Sequence, residues 1–293
     1  MILQKFEFSI HIDNLRTKIC IYEKVGSVEL HPLYFCQGAT CYTDEVELDF
    51  IEHLLSNTNI SHFIVYNYRG LEDGTTKTKS INHYRTKLLA RDLHEIVQYI
   101  EKNFLKCQPK FSIAGYSFGG VVMQEYLDEF GPLKIRSLVY ILSLCFRCCR
   151  LSYKKLISYA FRYKNYQKKE DEKHNQNIQE NFQMEKKNDN DYFEKKKIKD
   201  KLLVYQSLSM ILDRIFTRND CIFQKYKFSI PILYITAEKD EIFNFDRQKD
   251  CLQLHYPKHL LTHIHLQDSE HNIFWKNPKE ISAHLIPFFN KIY

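Results

Sequence analysis

Residues 110–127 read KFSIAGYSFGGVVMQEYL, and within them Gly115, Gly119 and Gly120 place three of the chain's eight glycines in six positions. The stretch FSIAGY reads as a strand, and Phe118–Phe130 reads as a helix closed by Gly131. Gly115-Tyr116-Ser117-Phe118-Gly119 is therefore a G-x-S-x-G pattern at a strand-to-helix junction. A turn that sharp strains the backbone of its central residue and exposes the side chain at the carboxyl edge of a sheet. Strand and helix approach too closely there for a Cβ, so the flanking positions call for glycine. The helix N-terminus behind Ser117 favours negative charge beside its hydroxyl. The alternative is a glycine-rich turn with an incidental serine, and the rest of the chain has to decide between them.

Outward from this turn, strand-like and helix-like segments alternate. FEFSIHI and KICIYEK form a hairpin with DNLR as its turn. LYFCQ is a short buried strand ending at Gly38, followed by a helix from about Asp44 to Leu55. SHFIVYNY is the next strand, ending at Gly70. HYRTKLLARDLHEIVQYIEKNF carries Leu88, Leu89, Leu93, Ile96, Val97 and Ile100 at helical spacing. After the central turn come the strand SLVYILSL, the strand within PILYITAEKD, a helix near Phe245–Leu254, the strand LTHIHL and a final helix, Pro278–Ile292. Alternation of this kind predicts an α/β fold with a mostly parallel sheet covered on both faces.

The rhythm breaks after Leu144. Residues 163–201 are dominated by Lys, Asn, Gln, Glu and Asp, a low-complexity segment with little to bury. A helical pattern resumes over Leu202–Phe216. The expected organisation is a core in two parts, 1–144 and 229–293, with a cap or lid insertion, 145–228, between the sixth and seventh strands.

Composition sets limits on function. The chain has 293 residues, 44% of them hydrophobic, which is enough for one full core. No apolar run approaches the roughly 18 residues of a membrane span, and MILQKFEFSIHID lacks the pattern of a secretory signal. Nine scattered cysteines without metal-ligand spacing read as reduced thiols, with no zinc site and a cytoplasmic setting. The net charge of +6 is local: Leu133–Lys169 holds ten Lys or Arg and no acid, and the remaining chain sums to about −4. No nucleic-acid partner is expected from one such patch.

A serine nucleophile needs a base, and the base needs an orienting carboxylate, each placed just past a later strand in the order Ser, Asp, His. Asp240 ends PILYITAEKD, and His271 follows LTHIHLQDSE. Each has an ordinary reading as well: Asp240 as a helix cap, His271 as a loop histidine. Glu238 and Asp246 are the fallback acids, and His263 and His265 read as strand-packing residues. Ser117, Asp240 and His271 are the candidate catalytic residues.

With these segments placed, the chain resembles the α/β-hydrolases over almost its whole length, the low-complexity insertion excepted. AGYSFGG, PILYITAEKDEIF and DSEHNIFWKNPKEI are similar to that family's nucleophile elbow, acid loop and histidine loop. The resemblance assigns CQGAT to the oxyanion loop and implies the backbone N–H groups of Ala39 and Phe118 as donors. Two positions depart from the family's pattern: Gln37-Gly38 stands where His-Gly is usual, and Glu270 precedes the histidine where glycine is usual. A narrower similarity, carried by FIVYNYRGLEDG and DLHEIVQYI, is to abhydrolase-domain lipases and phospholipases. Its Arg69-Gly70 and Asp92-Leu93 also read as a tight turn and an exposed helix acid.

The resemblance implies a carboxylic ester or thioester hydrolase with no metal and no cofactor. The competing class is a non-catalytic binding protein that has kept the fold. Tyr153, Leu156, Ile157, Ala160 and Phe161 fall on one helical face flanked by Arg150, Lys154, Lys155 and Arg162. That face suits a lid over the site or peripheral contact with an anionic membrane, and makes a lipid ester the favoured substrate over a small-molecule one.

Overall fold

The computed structural model describes residues 2–27, 29–39, 41–72, 81–143, 230–240 and 256–292, and every structural statement below concerns these. β1 (Leu3–Ile12) and β2 (Leu15–Lys24) form an antiparallel hairpin with Ile12 opposite Leu15. The turn is shorter than DNLR. Only Asp13 and Asn14 lie in it, both with positive φ (49° and 63°), a conformation that short polar side chains tolerate and that matches the twist of a two-residue hairpin.

β2 pairs antiparallel with β4 (His62–Tyr66). All further pairings are parallel, through β3 (Pro32–Cys36), β5 (Phe111–Tyr116), β6 (Ile135–Ile141), β7 (Ile232–Ala237) and β8 (Leu261–Leu266). The order across this eight-stranded sheet is β1-β2-β4-β3-β5-β6-β7-β8. β3, β4, β5 and β7 are buried at every residue, as central strands covered on both faces must be. After β3 the chain adds β4 on one side and β5 on the other. That reversal falls at the carboxyl ends of β3 and β5, the ordinary ligand position in such sheets.

Five helices cover the sheet: α1 (Leu48–Asn57), α2 (Thr86–Ile100), α3 (Phe118–Phe130), the single turn α4 (Ile273–Lys276) and α5 (Pro278–Ile292). α1 starts later than its apolar pattern suggested, because Thr43–Glu45 form a separate 3-10 turn. Adjacent residues of β3 point to opposite faces. Phe35 packs with Phe50 of α1 and Phe274 of α4, while Tyr34 packs with Phe111, which meets Tyr126 of α3. The core therefore has two aromatic layers, one on each side of the sheet.

Arg69, just past β4, is buried and donates from Nε to Asp92 of α2 at 2.7 Å, from Nη2 to the other Asp92 oxygen, and from Nη2 to Asp13 at 3.1 Å. Asp92 is a buried ion-pair partner, not the exposed helix acid its pattern suggested. The pair joins α2 and the hairpin turn to the end of β4. Breaking one side of such a pair would cost about 3–5 kcal/mol, because the other charge stays buried.

A long insertion separates β6 from β7, which are nevertheless direct neighbours in the sheet. The low-complexity segment, the basic face at 150–162 and the helices expected over 202–216 and 245–254 lie outside the described residues.

Candidate active site

Ser117 follows the last residue of β5 and precedes the first of α3, with φ 50° and ψ −115°. Its N–H donates to the Ile141 carbonyl at 2.9 Å, and its carbonyl accepts from the Ser143 hydroxyl at 2.5 Å and the Gly120 N–H at 3.3 Å. The glycines around it answer to contacts that a side chain would destroy. A Cβ on Gly119 would lie 1.9 Å from the Cys36 carbonyl oxygen, one on Gly115 2.5 Å from the Gly120 nitrogen, and one on Gly120 1.9 Å from the Ser143 Oγ. The backbone after β3, the start of α3 and the Ser143 side chain all close on this turn, and glycine leaves them room.

His271, past the end of β8, lies with Nε2 2.9 Å from the Ser117 Oγ and Nδ1 2.7 Å from the Asp240 Oδ2. The Asp240 side chain is fully out of solvent and the His271 side chain is 8% exposed. The loops after β7 and β8 are laced together: the Glu238 N–H donates to Leu266, and the Lys239 N–H donates to Ser269 at 2.8 Å. The Glu238 carboxylate accepts from the Asp268 N–H at 2.9 Å and belongs to this lacing. Asp246, the other fallback acid, lies outside the described residues. His263 and His265 both reach the Thr236 hydroxyl, at 3.0 and 2.9 Å.

Glu270 does not distort the histidine loop. Its backbone is not among the positive-φ positions, which include Asp268 two residues earlier, so no glycine is required before His271. Its half-exposed carboxylate pairs with Lys276 at 2.7 Å.

Gln37 is buried in the loop after β3: its Nε2 donates to the Tyr66 carbonyl at 2.7 Å, its own main-chain carbonyl accepts from the Tyr68 hydroxyl at 2.8 Å, and its Oε1 is buried with no hydrogen-bond partner among the described residues. Burial pushes the Tyr68 phenol well above its ordinary range, so it stays a neutral donor. The Tyr68 ring stands edge-on to Phe118 at 5.9 Å. The close approach of Gly119 to Cys36 and Gln37 sets this loop against the start of α3, and Ala39 and Phe118 are both buried.

Ser117, His271 and Asp240 are thus brought into one hydrogen-bonded line, with Gln37–Ala39 beside it. Tyr68, Ser143 and Tyr116, whose hydroxyl donates to the His271 main-chain carbonyl at 3.0 Å, also shape this site and were not singled out by spacing, because each acts on a carbonyl distant in sequence. Glu7, Cys20 and Asp44 form the one metal-like group among the described residues, on the hairpin side. The Lys18 ammonium lies between its carboxylates, 2.9 Å from Glu7 and 2.8 Å from Asp44. Lys18 and Lys5 together hold the Glu7 carboxyl down at about 2.

No protein-family model and no curated protein sequence matches the chain. Solved structures do. A bacterial membrane phospholipase A superposes with a TM-score of 0.65 at 17% identity, covering 98% of this chain and 86% of its own. An esterase from a Rhodococcus species gives 0.61 at 13% identity, covering 99% of both chains. A peroxisomal alpha-beta-hydrolase from Saccharomyces cerevisiae gives 0.65 at 13% identity, covering 99% of this chain and 88% of its own. Likeness of this extent at such low identity establishes the fold, and it is the α/β-hydrolase fold.

Proposed function

We propose that on this fold the chain is a serine hydrolase that cleaves a carboxylic ester through an acyl-enzyme. The observation that carries the reading is the line from Asp240 through His271 to Ser117, with both hydrogen bonds formed at 2.7 and 2.9 Å. The Ser117 hydroxyl attacks the ester carbonyl carbon as His271 Nε2 takes its proton. Asp240 accepts the Nδ1 hydrogen, which fixes the tautomer and stabilises the imidazolium. The imidazolium then protonates the departing alkoxide, and a water activated by the same nitrogen releases the acid. Ala39 and Phe118 supply backbone N–H groups to the oxyanion, the contribution that is usually largest in such reactions. A thioester would follow the same course, and no step calls for a metal or cofactor.

A lipid acyl ester is the favoured substrate. In the sequence of the insertion between β6 and β7, Arg150, Lys154, Lys155 and Arg162 accompany apolar residues at helical spacing, a pattern that suits an anionic lipid surface. A phospholipase A and esterases are among the similar structures, which agrees with this chemistry without specifying it. Gln37 and Glu270, the two departures from the family's pattern, do not interrupt the hydrogen-bonded line, which weighs against a non-catalytic binding protein.

Hydrolysis of a lysophospholipid, a monoacylglycerol and a short chromogenic ester tests both levels. Ser117→Ala and His271→Ala should each lose at least about a thousandfold in kcat, since such residues act as a unit. Full activity in either variant contradicts the assignment. A clear preference for the short ester, with no sedimentation on anionic vesicles at low salt, would leave an esterase and remove the lipid substrate.

A further inference from the structure

The residue inside the G-x-S-x-G turn does more than occupy it. Tyr116 is buried, and its hydroxyl donates to the backbone carbonyl of His271 at 3.0 Å. Its ring lies against the imidazole, with centroids 5.6 Å apart and planes 30° from parallel. Phe274 stacks on the same ring at 5.0 Å, and Trp275 meets it edge-on at 5.8 Å, so the histidine loop and α4 grip the tyrosine from beyond the base. Gly38 closes the third side, where a Cβ would come within 3.0 Å of the Tyr116 ring carbons. One side chain, covalently adjacent to Ser117, thus touches the nucleophile turn, the base loop and the loop after β3.

From this geometry we infer that Tyr116 is a positioning residue, one that holds His271 in register with Ser117 while the bond between them is broken. The inference rests on the hydrolase reading above. In the resting site His271 and Ser117 hold each other through the 2.9 Å contact. That contact cannot survive a turnover. Once the Ser117 oxygen is esterified it has no hydrogen to donate, yet His271 must stay over the acyl carbonyl to activate water. The Tyr116 hydroxyl bonds to the main chain of His271 and takes no part in the proton transfers, so it persists through the acyl-enzyme. Displacements of about 1 Å at a reacting centre cost on the order of a hundredfold in rate, so a tether of this kind acts on rate more than on binding. The step it serves most is deacylation.

Tyr116→Phe removes one oxygen and keeps the stacked ring. Tyr256→Phe is the control, because the hydroxyl of buried Tyr256 also donates to a backbone carbonyl, that of partly buried Ile230, at the opposite end of β7 from the site. Labelling of the wild type by a fluorophosphonate, which reports attack by Ser117 without deacylation, is measured first. If the wild type neither labels nor hydrolyses esters, the hydrolase reading fails and Tyr116 loses its role with it. With an active wild type, Tyr116→Phe should lower kcat about tenfold or more, lower KM alongside it so that kcat/KM stays within about twofold, and slow labelling by a smaller factor than kcat. Tyr256→Phe should lower the thermal midpoint and leave kcat and labelling unchanged. A Tyr116→Phe enzyme with wild-type kcat overturns the proposal while leaving the triad intact. So does failure of that variant to fold, or a parallel loss of kcat, labelling and thermal midpoint, since each would make the hydroxyl a general stabiliser.

Discussion

Ser117 holds a backbone conformation, φ 50° and ψ −115°, that residues with a Cβ rarely adopt. Such positions cost about 1–3 kcal/mol and persist only where the surroundings impose them. Here the Ile141 carbonyl fixes the Ser117 N–H and the Ser143 hydroxyl fixes its carbonyl. This predicts an inversion of the usual order of residues. Exchanging alanine for glycine ordinarily destabilises a protein by about 0.4–1 kcal/mol through the unfolded chain. Ser117→Gly and Ser117→Ala both lack the hydroxyl, but only glycine relieves the strain, so the glycine variant should be the more stable by about 1 kcal/mol. Chemical denaturation of the two inactive variants measures the difference. An alanine variant of equal or greater stability would show that the turn stores no strain.

At the level of elements, the site is assembled by strand ends. β3 and β5 are parallel neighbours with Cys36 opposite Gly115, which delivers the loop after β3 to the start of α3. β4, on the other side of β3, braces that loop from below through the Tyr66 carbonyl and the Tyr68 hydroxyl. The opposite end of β4 carries a different constraint. His62 is buried at its first residue, with Nδ1 2.8 Å from the Ser61 hydroxyl and its ring edge-on to Phe104. Burial pushes its pKa from 6.5 down to about 4. The carboxylate facing it, Glu23 of β2, stands 3.9 Å from Nε2, too far for a good hydrogen bond. Above pH 6.5 both folded and unfolded states keep this histidine neutral. As pH falls from 6.5 to 4 the unfolded chain takes up a proton that the native state refuses, so stability declines through that window and levels below it. His62→Gln should flatten the dependence of unfolding free energy on pH between 6.5 and 4 relative to the wild type. Equal slopes in the two proteins would mean that the native state protonates His62 freely.

Across the whole molecule, the parts legible in the sequence were those written locally. Strand-and-helix alternation, the glycine cluster and the placement of Asp240 and His271 just past later strands all follow from short stretches of chain. The bounds of α3, β8 and α5 were legible for the same reason. What is settled between distant segments was not. Nothing near β2 states that it lies antiparallel to β4, and nothing in β3 states that β4 and β5 will flank it. Leu15 and Arg16 read as turn residues until pairing with Ile12 and His11 draws them into β2. Asp92 read as an exposed acid because its partner, Arg69, is 23 positions away. Tyr116, Tyr68 and Ser143 escaped notice because their hydroxyls act on carbonyls of other elements, to which no spacing rule points.

On the proposed reading, folding converts one ordinary serine into a nucleophile by closing three strand ends of a single sheet around it. Fluorophosphonate labelling followed by peptide mapping, on native and on urea-unfolded protein, tests this most directly. The expected result is a single adduct on Ser117 in the native chain, absent in Ser117→Ala, strongly reduced in His271→Ala and absent once the chain is unfolded. An adduct on another residue, or a native chain that does not label at all, would contradict it.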